Sequence, residues 1–435
     1  MALNWNAREE PIYSALLAAA LKAADPGRLL TQSLRYSPGK IVAGHHEMKL
    51  PKQGRLFLIA IGKAAPALAS AAFDIFGDRI EAGLVTSLKG QPEQSIGPLR
   101  SFVGGHPLPN QASLAAGAYA AELLADAKPE DRVLALVSGG GSAMFELLPP
   151  GVDLDEWANL TDRLIRSGLP IEAINQVRQQ ISLVKNGRLA RLAAPAQTIG
   201  FILSDVIGNP LSLVASGPTI PAAASSQPPQ LLLQQAGLWS QMPAEIQAAI
   251  QSPSTQDKPI FHPVNILLGG NELVVAAAET TMTTLGYQIR VLSTTMKGEA
   301  STVGREFARA VLDLEPGQAL IMGGETTVSV EGQGKGGPVQ ELALAAALEL
   351  SGKAERSIFT LTTDGVDGNS PAAGAAVNSN TVAEIEAEGL DPFAYLQSND
   401  SYSALASIAA ALEIGPTGTN LNDLVVGWHP VMASE

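Results

Sequence analysis

The run Val133-Leu134-Ala135-Leu136-Val137 feeds directly into Ser138-Gly139-Gly140-Gly141-Ser142, and this junction constrains the fold more than any other segment. An unbroken apolar run suits a strand buried on both faces, as in parallel sheets covered by helices. The glycines let the chain turn at once and let backbone N–H groups approach an anion closely. A second junction joins Ala319-Leu320-Ile321-Met322 to Gly323-Gly324-Glu325-Thr326-Thr327-Val328. After it, Gly332-Gln333-Gly334-Lys335-Gly336-Gly337 opens an Ala/Leu-rich helical segment at Pro338-Val339-Gln340-Glu341, whose N-terminal dipole favours phosphate. Two such loops point to a polyphosphate, or to a phosphate passed between two halves.

Strand-like and helical runs alternate along the first half. Leu56–Ile61 ends in Gly62-Lys63 and is followed by a helical Ala64–Phe76, with Pro66 near its start where proline is tolerated. Gly83–Thr86 and Thr198–Leu203 read as strands, and Ser113–Ala127, Asp155–Arg166 and Ile171–Val184 as helices. Such alternation predicts crossover units in a parallel sheet, with ligands at the carboxyl ends of its strands. Thr198–Leu203 delivers Ser204-Asp205 to such an end.

A chain of 435 residues is too long for one ordinary core. Pro/Ser-rich stretches at 221–229 and 251–263 place a boundary near residue 255. The expected fold class is therefore α/β with two α/β domains. Residues 1–255 form a Rossmann-like three-layer domain with a mainly parallel sheet, and residues 256–435 a smaller α/β domain. Strands in the latter are expected at 265–268, 288–292, 319–322 and 357–361. The active site is expected in the interdomain cleft, with a hinge near the boundary.

A net charge of −14 argues against a nucleic-acid surface, which needs basic stripes. The absence of cysteine excludes disulfides, thiolate zinc sites and a cysteine nucleophile. His45-His46 are adjacent and would point apart in a strand, and no other histidine spacing suits a metal. The N-terminus lacks a secretion-signal pattern, and no segment reaches the about twenty apolar residues of a membrane span. A cytoplasmic protein without membrane partner is expected, and a homo-oligomer is allowed. Neither a Walker P-loop nor a complete dinucleotide fingerprint is present; Gly139–Met144 lacks the last glycine of the latter.

Ten segments carry a resemblance when taken in order: Gly62–Ala65, Gly105–Asn110, Val137–Ala143, Asn175–Arg178, Val184–Ala190, Ser204–Gly208, Ala215–Thr219, Gly323–Glu341, Thr363–Gly368 and Pro416–Leu424. The chain resembles the glycerate 2-kinase family, two-domain kinases once described as hydroxypyruvate reductases. The resemblance implies transfer of the γ-phosphoryl group of ATP, with Mg2+, to the 2-hydroxyl of the small-molecule substrate D-glycerate. Such chemistry needs positioning and charge neutralisation more than covalent help.

Lys63 sits at a strand-to-helix turn where an ammonium can reach the transferring group, and the family has an important lysine there. Arg178 and Lys185 are seven apart, two helical turns on one face, and together could hold a carboxylate or phosphate. Asp205, Asp364 and Asp367 each follow an apolar run and precede a glycine. Asp205 and Asp364 are favoured for magnesium or hydroxyl activation, while Asp367 suits a turn equally well. Ser138, Gly139, Gly140, Gly141, Ser142, Glu325, Lys335 and Glu341 complete the candidate substrate and phosphate site. His106, between Gly105 and Pro107, could orient substrate or accept a proton.

One departure matters. The family usually reads Gly-Gly-Arg-Asn-Gln-Glu where this chain has Gly336-Gly337-Pro338-Val339-Gln340-Glu341. Proline offers neither the charged fork of arginine nor an N–H. Gln179-Gln180 stand where many relatives carry Lys-His, and Asn209 where aspartate is common. A relative drifted toward another small hydroxy acid, or one that binds nucleotide or metabolite with little turnover, is the second reading. An NAD(P)-dependent hydroxypyruvate reductase ranks third.

Overall fold

The structure, a computed structural model, describes residues 10–91, 95–221, 227–252 and 262–431. The chain forms two compact units, Pro26–Leu268 and a second made of Gly269–Glu435 together with Met1–Asp25. Two features differ from the single cut expected near residue 255. The boundary falls later, and the N-terminal helix Glu10–Ala23 belongs with the C-terminal half. Tyr13 accounts for this assignment: it is buried with its ring centroid 5.4 Å from Trp428 and 6.0 Å from Phe359. Thr419 Oγ1 also donates to the Ala24 carbonyl, 2.8 Å.

The first unit opens with a small antiparallel sheet of β1 (Leu34–Ser37), β2 (Lys40–Ala43) and β3 (His46–Lys49). His46 lies in β3, whereas His45 lies in the turn before it, so the two do not share a strand as expected. The main sheet comprises β4 (Leu56–Ile61), β5 (Ile80–Ser87), β6 (Leu99–Val103), β7 (Arg132–Ser138), β8 (Gln197–Leu203) and β9 (Val264–Gly269). Its order is β6-β5-β4-β7-β8-β9, and the β6–β5, β5–β4, β4–β7 and β7–β8 pairs are parallel. Counted from β4, this is the doubly wound 3-2-1-4-5-6 order, which reverses between β4 and β7.

Every residue of β4 and β7 is buried, as their unbroken apolar runs require. Helices Ala65–Phe76 and Gln111–Leu124 follow β4 and β6. The first carries its proline in the opening turn, where no intrahelical N–H is lost. A capping box starts the second: Asn110 accepts from Ser113 N (2.9 Å) and Ser113 Oγ from Asn110 N (3.2 Å). A separate helical cluster packs Trp157, Leu160, Leu164, Ile174, Val177 and Ile181 against Leu233, Ile246 and Ile250.

In the second unit, β10 (Gln288–Met296), β11 (Gln318–Gly324), β12 (Ser357–Thr362), β13 (Gly374–Asn378) and β14 (Asp423–Trp428) form a sheet ordered β10-β11-β14-β12-β13. Only β10–β11 is parallel; β14 enters antiparallel between β11 and β12. Helices Ala300–Leu312 and Pro338–Leu350 cover it, and Leu342, Leu344 and Leu350 of the latter are buried in the core. Each such leucine contributes roughly 1.5–3 kcal/mol.

Candidate active site

In the first unit the order reversal places the ends of β4 and β7 side by side, and the candidate residues follow directly from it. Lys63 N donates to Gly139 O (2.8 Å), and Ala64 N to Ser138 Oγ (3.0 Å). Ser138 Oγ in turn donates to Ile61 O, 3.2 Å. The Ser138 hydroxyl, expected to meet phosphate, is therefore a buried clasp between the two loops. Gly62 has φ +103°, and a methyl group there would fall 2.3 Å from Ser138 O. No other residue type fits that turn.

The triple glycine is bordered by three functional side chains. A methyl on Gly139 would fall 1.8 Å from Asp205 Oδ2, so the carboxylate packs directly on this glycine. One on Gly140, at φ +80°, would fall 3.1 Å from Lys63 Cγ and 3.2 Å from His106 Cδ2. Lys63 and His106 thus border Gly140, and Asp205 borders the adjacent Gly139. Ser142 Oγ lies 2.7 Å from Ser216 Oγ, which donates to Asn175 Oδ1, 2.9 Å. Ala215 and Ser216 hold φ of +49° and +58°, a costly conformation for non-glycine residues. Gln179 Nε2 secures that turn by donating to the Ser212 and Ser216 carbonyls, 3.1 Å each. This gives the glutamine a local structural role.

Arg178 and Lys185 do not share a helix face: the helix ends at Ile181, and Ser182 is extended with ψ 134°. Both instead face Glu146, which lies in none of the sequence motifs. Lys185 Nζ donates to Glu146 Oε2 (2.7 Å), Phe145 O (3.3 Å) and Ser182 Oγ (3.3 Å). All three ammonium protons are so engaged, leaving none for a ligand. Glu146 also accepts from Trp157 Nε1 (3.0 Å) and Leu147 N (3.0 Å). Burial lowers the pKa of Lys185, with Glu146 opposing the shift. Arg178 differs: among the described residues nothing forms a hydrogen bond or ion pair with its guanidinium, although the residue is only 8 % exposed.

In the second unit, β14 starts at Asp423, which sits in register between Gly324 of β11 and Thr362 of β12. Glu325 and Asp364 follow those neighbouring strands, so three carboxylates gather at one end of the sheet. Glu325 Oε2 accepts from Asn422 Nδ2 (3.0 Å), and Asp364 Oδ1 from Val366 N (3.2 Å) and Thr362 Oγ1 (3.3 Å). Burial raises the pKa of Asp423 well above the usual carboxylate range, and Glu325, Asp367 and Asp364 add to it.

The second glycine loop does not leave its helix open to phosphate. Val339 N (3.3 Å) and Gln340 N (2.8 Å) at the start of Pro338–Leu350 donate to the carboxylate of Asp367, and Gln340 Nε2 does so at 2.9 Å. An internal anion thus fills the site where phosphate was expected. A methyl on Gly337 would fall 2.3 Å from Asp367 Oδ1, which explains the glycine. Burial pushes the Asp367 carboxyl up to about 6 against those hydrogen bonds. Pro338 takes the first helical position, where its missing N–H costs nothing.

Lys335 has an exposed side chain, and its backbone N donates to Asp400 Oδ1, 2.9 Å. Glu341 is buried and accepts from Asn399 Nδ2, 3.0 Å; burial raises its pKa, with Glu299 and Asp367 adding to the shift. These two candidates are tied to the turn at Asn399-Asp400 rather than to the carboxylate group at the sheet end. Among the described residues no group of three or more Asp, Glu, His or Cys side chains is arranged to hold a metal ion. A surface cavity lined by Tyr13, Asn378, Glu384 and Ala410 contains none of the candidates.

Comparison with known proteins decides the kinship. The chain is 38% identical to a D-glycerate 2-kinase of Thermotoga maritima over 87% of its own length and 92% of the relative's. It is 34% identical to a glycerate 2-kinase of Pyrococcus horikoshii, over 94% and 95%. This chain belongs to the glycerate 2-kinase family. A glycerate kinase of Rattus norvegicus is 31% identical over 99% of this chain and 94% of its own. The crystal structure of glycerate kinase from Thermotoga maritima superposes with a TM-score of 0.84 at 34% identity, covering 97% of this chain and 100% of that one. A domain of unknown function, DUF4147, matches residues 12–251, and the MOFRL family matches residues 318–423. Pro338 lies inside the stretch matched by the MOFRL family.

Proposed function

We propose that the protein phosphorylates D-glycerate at its 2-hydroxyl, with ATP as donor and 2-phosphoglycerate and ADP as products. The observation that carries this is the meeting of Lys63, His106 and Asp205 around Gly139 and Gly140, where the parallel sheet reverses order. A doubly wound sheet binds ligands at that place. The relatives that match over nearly the whole chain are named as kinases of glycerate, which favours this reading over a reductase.

In the proposed transfer the amides of Gly139–Ser142 and the Lys63 ammonium neutralise charge on the moving phosphoryl group. A positioned cation and oriented amides in a site closed to water give most of such acceleration. The acceptor oxygen forms the new P–O bond, the bond to ADP breaks, and a carboxylate, Asp205 in this reading, takes the hydroxyl proton. Asp205 in the first unit is a carboxylate proposed for magnesium, and Asp364 in the second is proposed separately as another. Their hard oxygens suit it, and magnesium takes one or two carboxylates besides phosphate oxygens, so the lack of a three-ligand group is no obstacle. When bound, the ion would offset phosphate charge.

Lys185 is left out of ligand binding in this reading, since its protons are engaged by Glu146, Phe145 and Ser182. Among the described residues no helix is long and apolar enough to cross a membrane. We place the enzyme in the cytoplasm. A coupled assay of ADP release with magnesium, ATP and a panel of short hydroxy acids, both glycerate enantiomers included, tests the proposal. Release with D-glycerate alone among them supports it, and silence across the panel sinks it.

A further inference from the structure

We propose that Arg178 is the residue that grips the carboxylate of the acceptor. The proposal rests on the function proposed above and adds which end of the acceptor is recognised. Arg178 lies three residues after Asn175 on the helix Ile171–Ile181, so the two share a face. Asn175 accepts from Ser216 Oγ (2.9 Å), and Ser216 Oγ lies 2.7 Å from Ser142 Oγ of the triple-glycine loop. Arg178 is thereby carried on the helix face that meets that loop.

The charges around it leave Arg178 in surplus. Glu146 is the anion facing Arg178, Lys185 and Arg188, and it is already paired with Lys185 at 2.7 Å. Arg188 donates to the Gln179 carbonyl and, at 2.6 Å, to the Ser182 carbonyl. Arg178 has no such partner among the described residues, and burial lowers its pKa with only Glu146 opposing. A guanidinium carries five donors and stays charged, and those of Arg178 are not sealed off from solvent, so an incoming ligand can reach them. A carboxylate matches its fork with two parallel bonds.

The test compares wild type, Arg178→Met and Arg178→Lys with D-glycerate and with its uncharged amide, glyceramide, in the ADP-release assay, alongside thermal melting. Arg178→Met should lower kcat/KM for D-glycerate roughly a hundredfold to a thousandfold, chiefly through KM, and leave glyceramide within a few fold. Arg178→Lys, charged but without the fork, should fall between. The melting temperature of Arg178→Met should hold within a few degrees, since no hydrogen bond is lost; a structural arginine would lower it further. Equal losses for both acceptors, or wild-type kinetics with D-glycerate in Arg178→Met, overturn the assignment alone. No turnover of D-glycerate by wild type defeats the proposed function as well.

Discussion

Asp205 rests directly on Gly139: a methyl group on that glycine would fall 1.8 Å from Oδ2. The contact leaves no room for a side chain and fixes the carboxylate beside the loop. Gly139→Ala must push Asp205 aside or shift the loop, while the buried strand before it can stay folded. Displacements of about an ångström can cost about a hundredfold in such reactions. Steady-state kinetics should give a drop of that order with the circular dichroism spectrum unchanged.

Lys63 borders Gly140 through its Cγ, and its backbone is held by the Gly139 carbonyl. Its side chain is therefore replaceable without breaking the clasp. Lys63→Met should lower kcat by roughly a hundredfold to a thousandfold, as loss of one charge-stabilising donor does. Thermal melting should move by no more than a few degrees.

The carboxylates of the second unit give stability a definite pH dependence. The folded pKa of Asp367, about 6, exceeds its unfolded value of 3.8, so the native state binds more protons between them. Stability must then fall as pH rises through that window, by about 3 kcal/mol. Asp423 is shifted in the same direction by burial beside Glu325. Asp423→Asn should therefore melt higher than wild type near pH 8, with the gap closing toward pH 4. Melting curves across that range measure it.

Pro338 begins its helix without losing a hydrogen bond, so the residue at this place can change with little harm to the fold. Pro338→Arg should raise kcat/KM about tenfold by supplying a charged fork. Adding Val339→Asn tests the fuller family pattern, but Val339 is only 2 % exposed and the amide should lower the melting temperature. Kinetics and melting of the single and double variants separate the two effects.

Strands β4 and β7 were legible because they are apolar almost throughout and run directly into glycine, whereas β6, with Arg100 and Ser101 exposed, was not expected. Asp205 was singled out by its place after an apolar run, and Lys63 by its strand-to-helix turn together with the family resemblance. Glu146 escaped notice because nothing local marks it; its meaning comes from Lys185, far along the chain, and from Trp157. The pairing of Arg178 with Lys185 was misjudged because helical spacing was extended past Ile181, where the backbone straightens. Asp367 shows a different limit. Glycines before a helix signal an anion, but sequence does not say whether the anion is a ligand or the chain's own carboxylate. The antiparallel entry of β14 was equally hidden, since strand direction is set by partners remote in sequence.

In the proposed reaction a phosphoryl group moves from ATP to the 2-hydroxyl of D-glycerate. Phosphorus NMR of a reaction mixture containing the protein, magnesium, ATP and D-glycerate tests this most directly. Growth of the 2-phosphoglycerate resonance in step with ADP is the predicted result. Phosphate appearing only as inorganic phosphate or as the 3-ester, or ATP persisting unchanged, would contradict it.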